Sequence, residues 1–148
     1  MFLDADVLFA GAATANAQSA SQVVLRLAEA TVIEAVTSRQ AVRECERNLE
    51  AKVPAAVGVF RRLVAAADVE VVEAPSPARV DAHDGKADAK DLPLLVAAIE
   101  AGCPLLVTFN ARDYRPGDPA VEVVGPGALV QRVRARLAGL ATPRPPDG

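Results

Sequence analysis

The sequence predicts an α/β fold, in which a parallel sheet of about five short strands lies between two layers of helices. Short apolar segments rich in β-branched residues alternate along the chain with longer segments whose apolar residues recur at helical spacing. Hydrophobic residues make up 51% of the chain and charged residues 24%, which excludes a disordered protein. The 148 residues have the size of one domain, so we expect a single core.

The first half of the chain is predicted to hold three strands and three helices. Residues 2–9, 31–36 and 69–72 are short apolar segments and are predicted strands. Predicted helices span residues 19–30 and 37–49, and a third begins at Pro54, because apolar residues return there every three or four positions. Ser38 and Pro54 stand at helix starts, where a capping hydroxyl and a proline are favoured.

The second half begins with a predicted loop, residues 74–90. Asp91 precedes Leu92 and Pro93, which predicts Asp91 as the N-cap of a helix that ends before Gly102. Strands at 105–108 and 121–124 and a helix at 127–137 follow. We expect residues 1–140 to form one domain and residues 141–148, which are rich in proline, to be a disordered tail.

Composition limits the chemistry that the protein can perform. His83 is the single histidine, so histidine-based acid–base catalysis and zinc binding are nearly excluded. Cys45 and Cys103 lack metal-binding spacing and are predicted to be buried free thiols. No apolar stretch is long enough to span a membrane and the start does not resemble a signal peptide, so we expect a cytoplasmic protein. Any catalysis here must depend on carboxylates.

Four carboxylates are predicted to meet at one edge of the sheet. Asp4 lies in the first apolar segment, and Asp113 follows the fourth predicted strand. Asp91 starts the helix before that strand, and Glu44 lies in the helix after the second strand. Ligands of parallel α/β sheets bind beyond the carboxyl ends of the strands. Carboxylates gathered there repel each other unless a hard divalent cation binds them, and such a cation can activate water for phosphodiester cleavage.

Each of these residues also has a purely structural interpretation. For Asp4 the structural alternative to metal binding is a set of hydrogen bonds to backbone amides, and for Glu44 it is an exposed ion pair in its Arg-Glu-Cys-Glu-Arg context. Asp91 has the position of a helix cap and Asp113 that of a turn residue. Asp88, three residues before Asp91, is interpreted as a cap or a solvated residue, with metal binding as the alternative.

Four segments resemble, in order, the sequence blocks of the PIN-domain family. Residues 2–8 resemble its opening apolar block with Asp-Thr-Asn, and residues 37–49 its Ser-capped helix with a central Glu. Residues 90–98 resemble its third block, and residues 106–114 its Val-Thr-x-Asn/Asp-x-x-Asp-Phe block. The resemblance spans roughly residues 1–137. Asp6 stands where the family usually has Asn, and Ala5 where it usually has Thr.

The resemblance implies a fold, an activity and a set of site residues. It implies that Asp4, Glu44, Asp91 and Asp113 bind Mg²⁺ or Mn²⁺ and cleave single-stranded RNA. The supporting residues it implies are Asp6, Thr108 and Asn110. Many bacterial members of this family are toxins held inactive by an antitoxin, so RNA, an antitoxin and a second copy of the chain are the candidate partners.

Two other functions stay open at this stage. Asp4 and Asp6 also resemble the nucleophile and the acid–base of a haloacid-dehalogenase-type phosphatase, and a PIN-like binding module without activity is the other alternative. Metal-dependent RNA cleavage, phosphatase activity or neither distinguishes the three. The basic helix residues are either solvated or aligned with an RNA backbone: Arg39, Arg43, Arg47, Lys52, Arg61, Arg62, Arg132, Arg134 and Arg136. Aromatic residues make up only 3%, which argues against recognition of RNA by base stacking.

Overall fold

One sheet of five parallel strands forms the centre of the molecule, for which a computed structural model describes residues 1–141. The strands are β1 (Phe2–Leu3), β2 (Val36–Ser38), β3 (Glu70–Val72), β4 (Leu105–Val107) and β5 (Glu122–Val124). Their order across the sheet is β3-β2-β1-β4-β5, and every neighbouring pair is parallel. The predicted parallel sheet of about five short strands is confirmed. The predicted disordered tail lies outside the described residues, apart from Ala141.

Helices cover both faces of this sheet. They are α1 (Ala5–Ala13), α2 (Ala20–Glu29), α3 (Arg39–Lys52), α4 (Val57–Ala66), α5 (Pro77–Asp81), α6 (Leu92–Glu100) and α7 (Pro126–Ala141). Alternate residues of β1 and β4 point to opposite faces: Leu3 and Val107 join one hydrophobic cluster, and Phe2 and Leu106 the other. The first cluster packs under α1 to α4 and α7, and the second under α6. This is the predicted α/β/α sandwich.

The first predicted strand is wrong beyond its second residue. Only Phe2–Leu3 is strand, and Ala5–Ala13 forms α1. The Asp4 carboxylate accepts a hydrogen bond from the Ala5 amide and starts this helix. A short apolar run is compatible with a strand or with a buried helix, and tertiary packing favours the helix here. Asp4 therefore follows the strand rather than lying within it.

The second predicted strand is also displaced along the chain. Residues 31–35 connect α2 to β2, which begins at Val36. Thr31 has a φ of 57°, and the Val32 amide donates to the Leu27 carbonyl, so residue 31 terminates α2 in a left-handed conformation. The predicted loop at 74–90 contains the short helix α5. The Ser38 hydroxyl caps α3 as predicted, by accepting a hydrogen bond of 3.0 Å from the Ala41 amide.

The strand order creates a crevice between β1 and β4. The chain runs from β1 outward to β2 and β3 on one side, then returns to β4 and β5 on the other. Ligand sites of such sheets lie where this direction reverses, beyond the carboxyl ends of the strands. The Asp4 amide, just past β1, donates to the Val107 carbonyl at the end of β4, with a distance of 3.1 Å. No helix within residues 1–141 is long and apolar enough to cross a membrane.

Candidate functional site

Asp6 connects the first turn of α1 to the loop that follows β4. Its Oδ2 accepts hydrogen bonds from the Thr108 hydroxyl (3.0 Å), the Phe109 amide (2.9 Å) and the Asn110 side-chain amide (3.2 Å). The Thr108 hydroxyl oxygen also accepts from the Asn110 amide at 3.1 Å. Three of the residues expected to support the site, Asp6, Thr108 and Asn110, therefore form one hydrogen-bonded group across the crevice.

Asp4 lies beneath this group and is only 7% exposed. Its Oδ1 accepts from the Ala5 amide at 2.6 Å, and its Oδ2 from the Tyr114 hydroxyl at 2.7 Å. Tyr114 belongs to a 3-10 turn, Ala111–Tyr114, and its side chain is buried. Burial and then the Asp4 charge raise the pKa of Tyr114 well above its usual value, so its hydroxyl keeps its proton and donates.

A second group of carboxylates comprises Asp88, Asp91 and Asp113. One oxygen from each lies within 4.8 Å of the others. The backbone holds the group together, because the Asp88 amide donates to the Asp113 carbonyl at 2.7 Å and the Asp91 amide to the Asp88 carbonyl at 2.9 Å. Asp91 is the N-cap residue of α6, as predicted, but its side chain makes no capping hydrogen bond. Its carboxylate faces other carboxylates instead.

The charges of the two groups influence each other. Burial, followed by the Asp4 charge, raises the pKa of Asp6 to about 6. Burial also raises the pKa of Asp91; the Lys90 ammonium opposes this shift, and the charges of Asp4 and Asp113 add to it. Asp4, Asp6, Asp91 and Asp113 are thus electrostatically coupled at one edge of the sheet.

Two carboxylate oxygens of this site are buried without a hydrogen-bond donor, Oδ1 of Asp6 and Oδ2 of Asp91. A buried acceptor without a donor is costly, and functional sites are where such atoms are expected. A divalent cation with oxygen ligands would satisfy a buried acceptor such as Oδ2 of Asp91 and offset the repulsion between the carboxylates around it. The residues present therefore fit a hard divalent cation.

Two exposed cations border the acidic site. The Lys90 ammonium lies 3.6 Å from Oδ2 of Asp91 and 3.4 Å from Oδ2 of Asp113. The Arg112 Nε lies 3.7 Å from Oδ1 of Asp113. The two basic side chains are 72% and 86% exposed, so these contacts are weak and the cations remain available to an anionic ligand.

Glu44 lies on α3, half-buried, and is not a member of the Asp88–Asp91–Asp113 group. Within residues 1–141 its side chain makes no hydrogen bond and no ion pair. Its neighbour Glu46 pairs with Arg61 at 2.8 Å instead. The ion pair considered for Glu44 is thus absent from the described structure, and its role in metal binding stays a prediction.

Several residues of the site escaped the sequence-based prediction. The sequence favours capping or solvation for Asp88, yet Asp88 joins Asp91 and Asp113. Its position three residues before Asp91 is the signal in the sequence, because two side chains at that spacing lie on the same side of a helical turn. Tyr114 stands at the end of the fourth family-like block, where the family usually has Phe. The hydroxyl that Tyr adds is the signal in the sequence. No sequence pattern singles out Phe109, which is 54% exposed and whose amide donates to Asp6.

Some of the predicted basic residues are paired away from the site. Arg39 pairs with Glu73, and Arg132 forms two hydrogen bonds with Glu122. Both pairs are exposed, which agrees with the interpretation of these arginines as solvated surface residues.

A cavity of about 650 Å³ lies at the opposite edge of the sheet, near the amino ends of β2 and β3. Its lining includes Thr31 and Asp68, which are the two non-glycine residues with positive φ among residues 1–141. Both terminate helices, because the amides of Val32 and Val69 close onto carbonyls of the preceding helix. The strain at these positions is therefore explained by the fold and does not mark a second site.

The chain matches a known protein family over most of its length. A family model described as PIN domain matches residues 1–112 of the chain. The matched segment includes Asp4, Glu44 and Asp91 and ends one residue before Asp113. No curated protein sequence matches the chain.

Proposed function

The chain belongs to the PIN-domain family, and on that premise we propose that it is an endoribonuclease that cleaves single-stranded RNA with Mg²⁺ or Mn²⁺. PIN domains are generally metal-dependent nucleases, and an acidic cluster is present in this chain. The observation that carries the proposal is that one carboxylate oxygen from each of Asp88, Asp91 and Asp113 lies within 4.8 Å of the others, and that Oδ2 of Asp91 is buried without a hydrogen-bond donor.

The proposed cation ligands are Asp4, Glu44, Asp91 and Asp113, and we add Asp88 to them. Carboxylate oxygens are the ligands that Mg²⁺ and Mn²⁺ favour. Each oxygen of Asp4 accepts one hydrogen bond and keeps a second lone pair for a cation. These carboxylates would hold a divalent cation, which would supply Lewis-acid chemistry for the phosphodiester and would lower the pKa of the attacking water molecule.

The remaining residues of the crevice position the substrate and the loop. Asp6 holds Thr108 and Asn110 through its Oδ2 and fixes the loop after β4. Lys90 and Arg112 offer exposed positive charges next to the carboxylates, where an RNA phosphate would otherwise be repelled. The net charge of −3 gives the chain no general attraction for a polyanion, so local positive charges such as this pair would support RNA binding.

The phosphatase alternative is disfavoured by the surroundings of Asp4. A carboxylate nucleophile needs an oxygen that can reach a phosphorus atom in line. Asp4 is only 7% exposed, and the Ala5 amide and the Tyr114 hydroxyl hold its carboxylate in one orientation, which limits in-line approach to a phosphorus atom. A structural and metal-binding role suits this geometry better than covalent catalysis.

The proposal is tested with purified protein, a single-stranded RNA and a metal titration. We expect cleavage with Mg²⁺ or Mn²⁺, none in EDTA, and recovery when metal is restored. Asp91→Asn and Asp113→Asn should abolish cleavage. Asp81→Asn is the matched control, because Asp81 is an exposed acid at the end of α5, and it should cleave normally. Cleavage that persists in EDTA would contradict the proposal, as would p-nitrophenyl phosphate hydrolysis without RNA cleavage.

The role of this nuclease as the toxin of a toxin–antitoxin pair is part of the same proposal. It rests on the family resemblance, as does assembly with a second copy of the chain. Expression together with the neighbouring reading frame, followed by affinity purification and measurement of the molar mass by light scattering, tests both. A co-purified small protein that suppresses RNA cleavage supports the toxin role, and a nuclease that stays active and alone contradicts it.

A further inference from the structure

We propose that Phe109 is a stacking platform on which an unpaired RNA base rests while the strand passes the carboxylates. This inference depends on the proposed ribonuclease function and adds a substrate-positioning residue to it. It also revises the expectation, drawn from the low aromatic content, that base stacking plays no part.

The exposure of Phe109 distinguishes it from the other aromatic residues. The chain has four phenylalanines and one tyrosine. Phe2, Phe60 and Tyr114 are buried, and Phe9 packs against the first hydrophobic cluster. Phe109 is 54% exposed and is a member of neither cluster. A single exposed apolar side chain is ordinary, so its location must carry the argument.

Phe109 is fixed at the acidic site by its own backbone. Its amide donates to Oδ2 of Asp6 at 2.9 Å, and that same oxygen accepts from the side chains of Thr108 and Asn110. The residues on both sides of Phe109 are therefore held, and its exposed side chain starts from a hydrogen-bonded point of the loop. A side chain on a fixed backbone loses less conformational freedom when a base stacks on it than one on a mobile loop.

The charges nearby complete a surface suited to a single strand. Lys90 and Arg112 contact Asp113 and are largely exposed, so they can accept phosphates of the RNA backbone. An aromatic face beside such cations binds single strands without reading sequence, because every base has a π face. Bases in a duplex are stacked on each other and are not free to stack on the Phe109 ring. Phe109 thus gives a physical reason for cleavage of single strands.

The experiment measures binding of a short fluorescent single-stranded RNA by anisotropy, with Ca²⁺ in place of Mg²⁺ and with RNA integrity checked on a gel. The variants are Phe109→Ala, Phe109→Leu and Phe109→Trp. We expect Ala and Leu to weaken binding roughly tenfold, about 1.4 kcal/mol, and Trp to retain it. Leu keeps apolar volume without a π face, so it separates stacking from simple apolar contact.

A series of RNAs with one abasic nucleotide at each position in turn identifies the stacked base. With the unmodified protein, we expect one position to weaken binding by a similar factor. With Phe109→Ala, the same abasic position should cause no further loss, because ring and base form one contact. Val32→Ala is the matched control: Val32 is 48% exposed but precedes β2 at the opposite edge of the sheet, and it should bind all RNAs normally.

The outcomes separate this inference from the function on which it rests. If the unmodified protein cleaves and binds RNA and Phe109→Ala does so equally well, the stacking role is wrong and the nuclease stands. An equal loss in Ala, Leu and Trp variants also overturns stacking, because it indicates a need for the phenyl shape alone. A protein that neither binds nor cleaves RNA with metal overturns both.

Discussion

The Tyr114 hydroxyl donates a hydrogen bond of 2.7 Å to Oδ2 of Asp4. This bond joins the residue after β1 to the 3-10 turn after β4, which are 110 residues apart in the chain. Because the Asp4 Oδ1 is held by the Ala5 amide, the carboxylate has donors on both oxygens and a fixed orientation. Where the PIN family usually has Phe, this chain therefore has a hydroxyl that positions a proposed metal ligand.

Tyr114→Phe tests that positioning role. Phenylalanine fills the same buried volume, so we expect the fold to persist with a modest loss of stability, about 1 kcal/mol. Loss of a hydrogen bond to a metal ligand is expected to weaken metal affinity roughly tenfold or more. Isothermal titration with Mn²⁺, without RNA, measures this directly. An unchanged Mn²⁺ affinity in a folded Tyr114→Phe protein would show that the hydroxyl serves stability alone.

Asp4 and Asp91 should differ when each is replaced by alanine in metal-free protein. Asp4→Ala removes the cap of α1 and leaves the Tyr114 hydroxyl buried without an acceptor, so we expect a loss of about 2 kcal/mol. The Asp91 side chain makes no capping bond, and its pKa is raised mainly by burial, so Asp91→Ala should be neutral or stabilising.

Urea denaturation in EDTA measures both free energies of unfolding, and RNA cleavage should be lost in both variants. Equal destabilisation of the two would argue that Asp91 has a structural contact comparable to that of Asp4.

The raised pKa of Asp6 predicts how stability depends on pH. Its pKa moves from 3.8 to about 6 on folding, through burial and then the Asp4 charge. The folded state therefore binds the Asp6 proton more tightly than the unfolded state does. The stabilisation that this protonation contributes is complete below pH 4 and is lost as the pH rises through 6. Because the side chain is partly exposed, we expect a loss of only about 1–2 kcal/mol.

Comparison with Asp6→Asn isolates this contribution in metal-free protein. The stability of Asp6→Asn relative to the unmodified protein should rise between pH 4 and pH 6 and then level off, because Asn does not titrate. Asp81→Asn serves as the control for replacing an exposed acid by its amide outside the site. A difference for Asp6→Asn that does not change with pH would mean that Asp6 ionises normally in the folded protein.

The sequence predicted those parts of the fold and site that depend on local pattern. The Ser38 cap, the helix after Asp91 and the alternation of strands and helices follow from neighbouring residues and are all observed. The helix α1 was mistaken for strand because β1 contributes only two residues to an unbroken apolar run.

The parts that could not be predicted depend on long-range contacts. Asp88 joins the site because its amide donates to the Asp113 carbonyl, a contact between segments 25 residues apart in the sequence. The Tyr114–Asp4 bond and the attachment of the Phe109 amide to Asp6 likewise span the chain. A local pattern identifies the carboxylates, but it does not say which donors hold them.

Asp6→Asn finally separates the nuclease from the phosphatase. In the nuclease, Asp6 holds the loop through Oδ2, which accepts from Thr108, Phe109 and Asn110. The carbonyl oxygen of Asn can accept the same hydrogen bonds, and the PIN family usually has Asn here. We therefore expect kcat/KM for single-stranded RNA to stay within about tenfold, a change of about 1.4 kcal/mol in the barrier.

In the phosphatase, Asp6 would transfer the proton to and from the leaving group, which an amide cannot do. The loss of a general acid–base typically lowers the rate by about 10²–10⁴-fold. Asp6→Ala serves as the second variant, since it removes the acceptor and should reduce RNA cleavage well below that of Asp6→Asn. A folded Asp6→Asn protein that is nearly inactive, with Asp6→Ala no worse, would identify proton transfer rather than loop positioning as the role of Asp6.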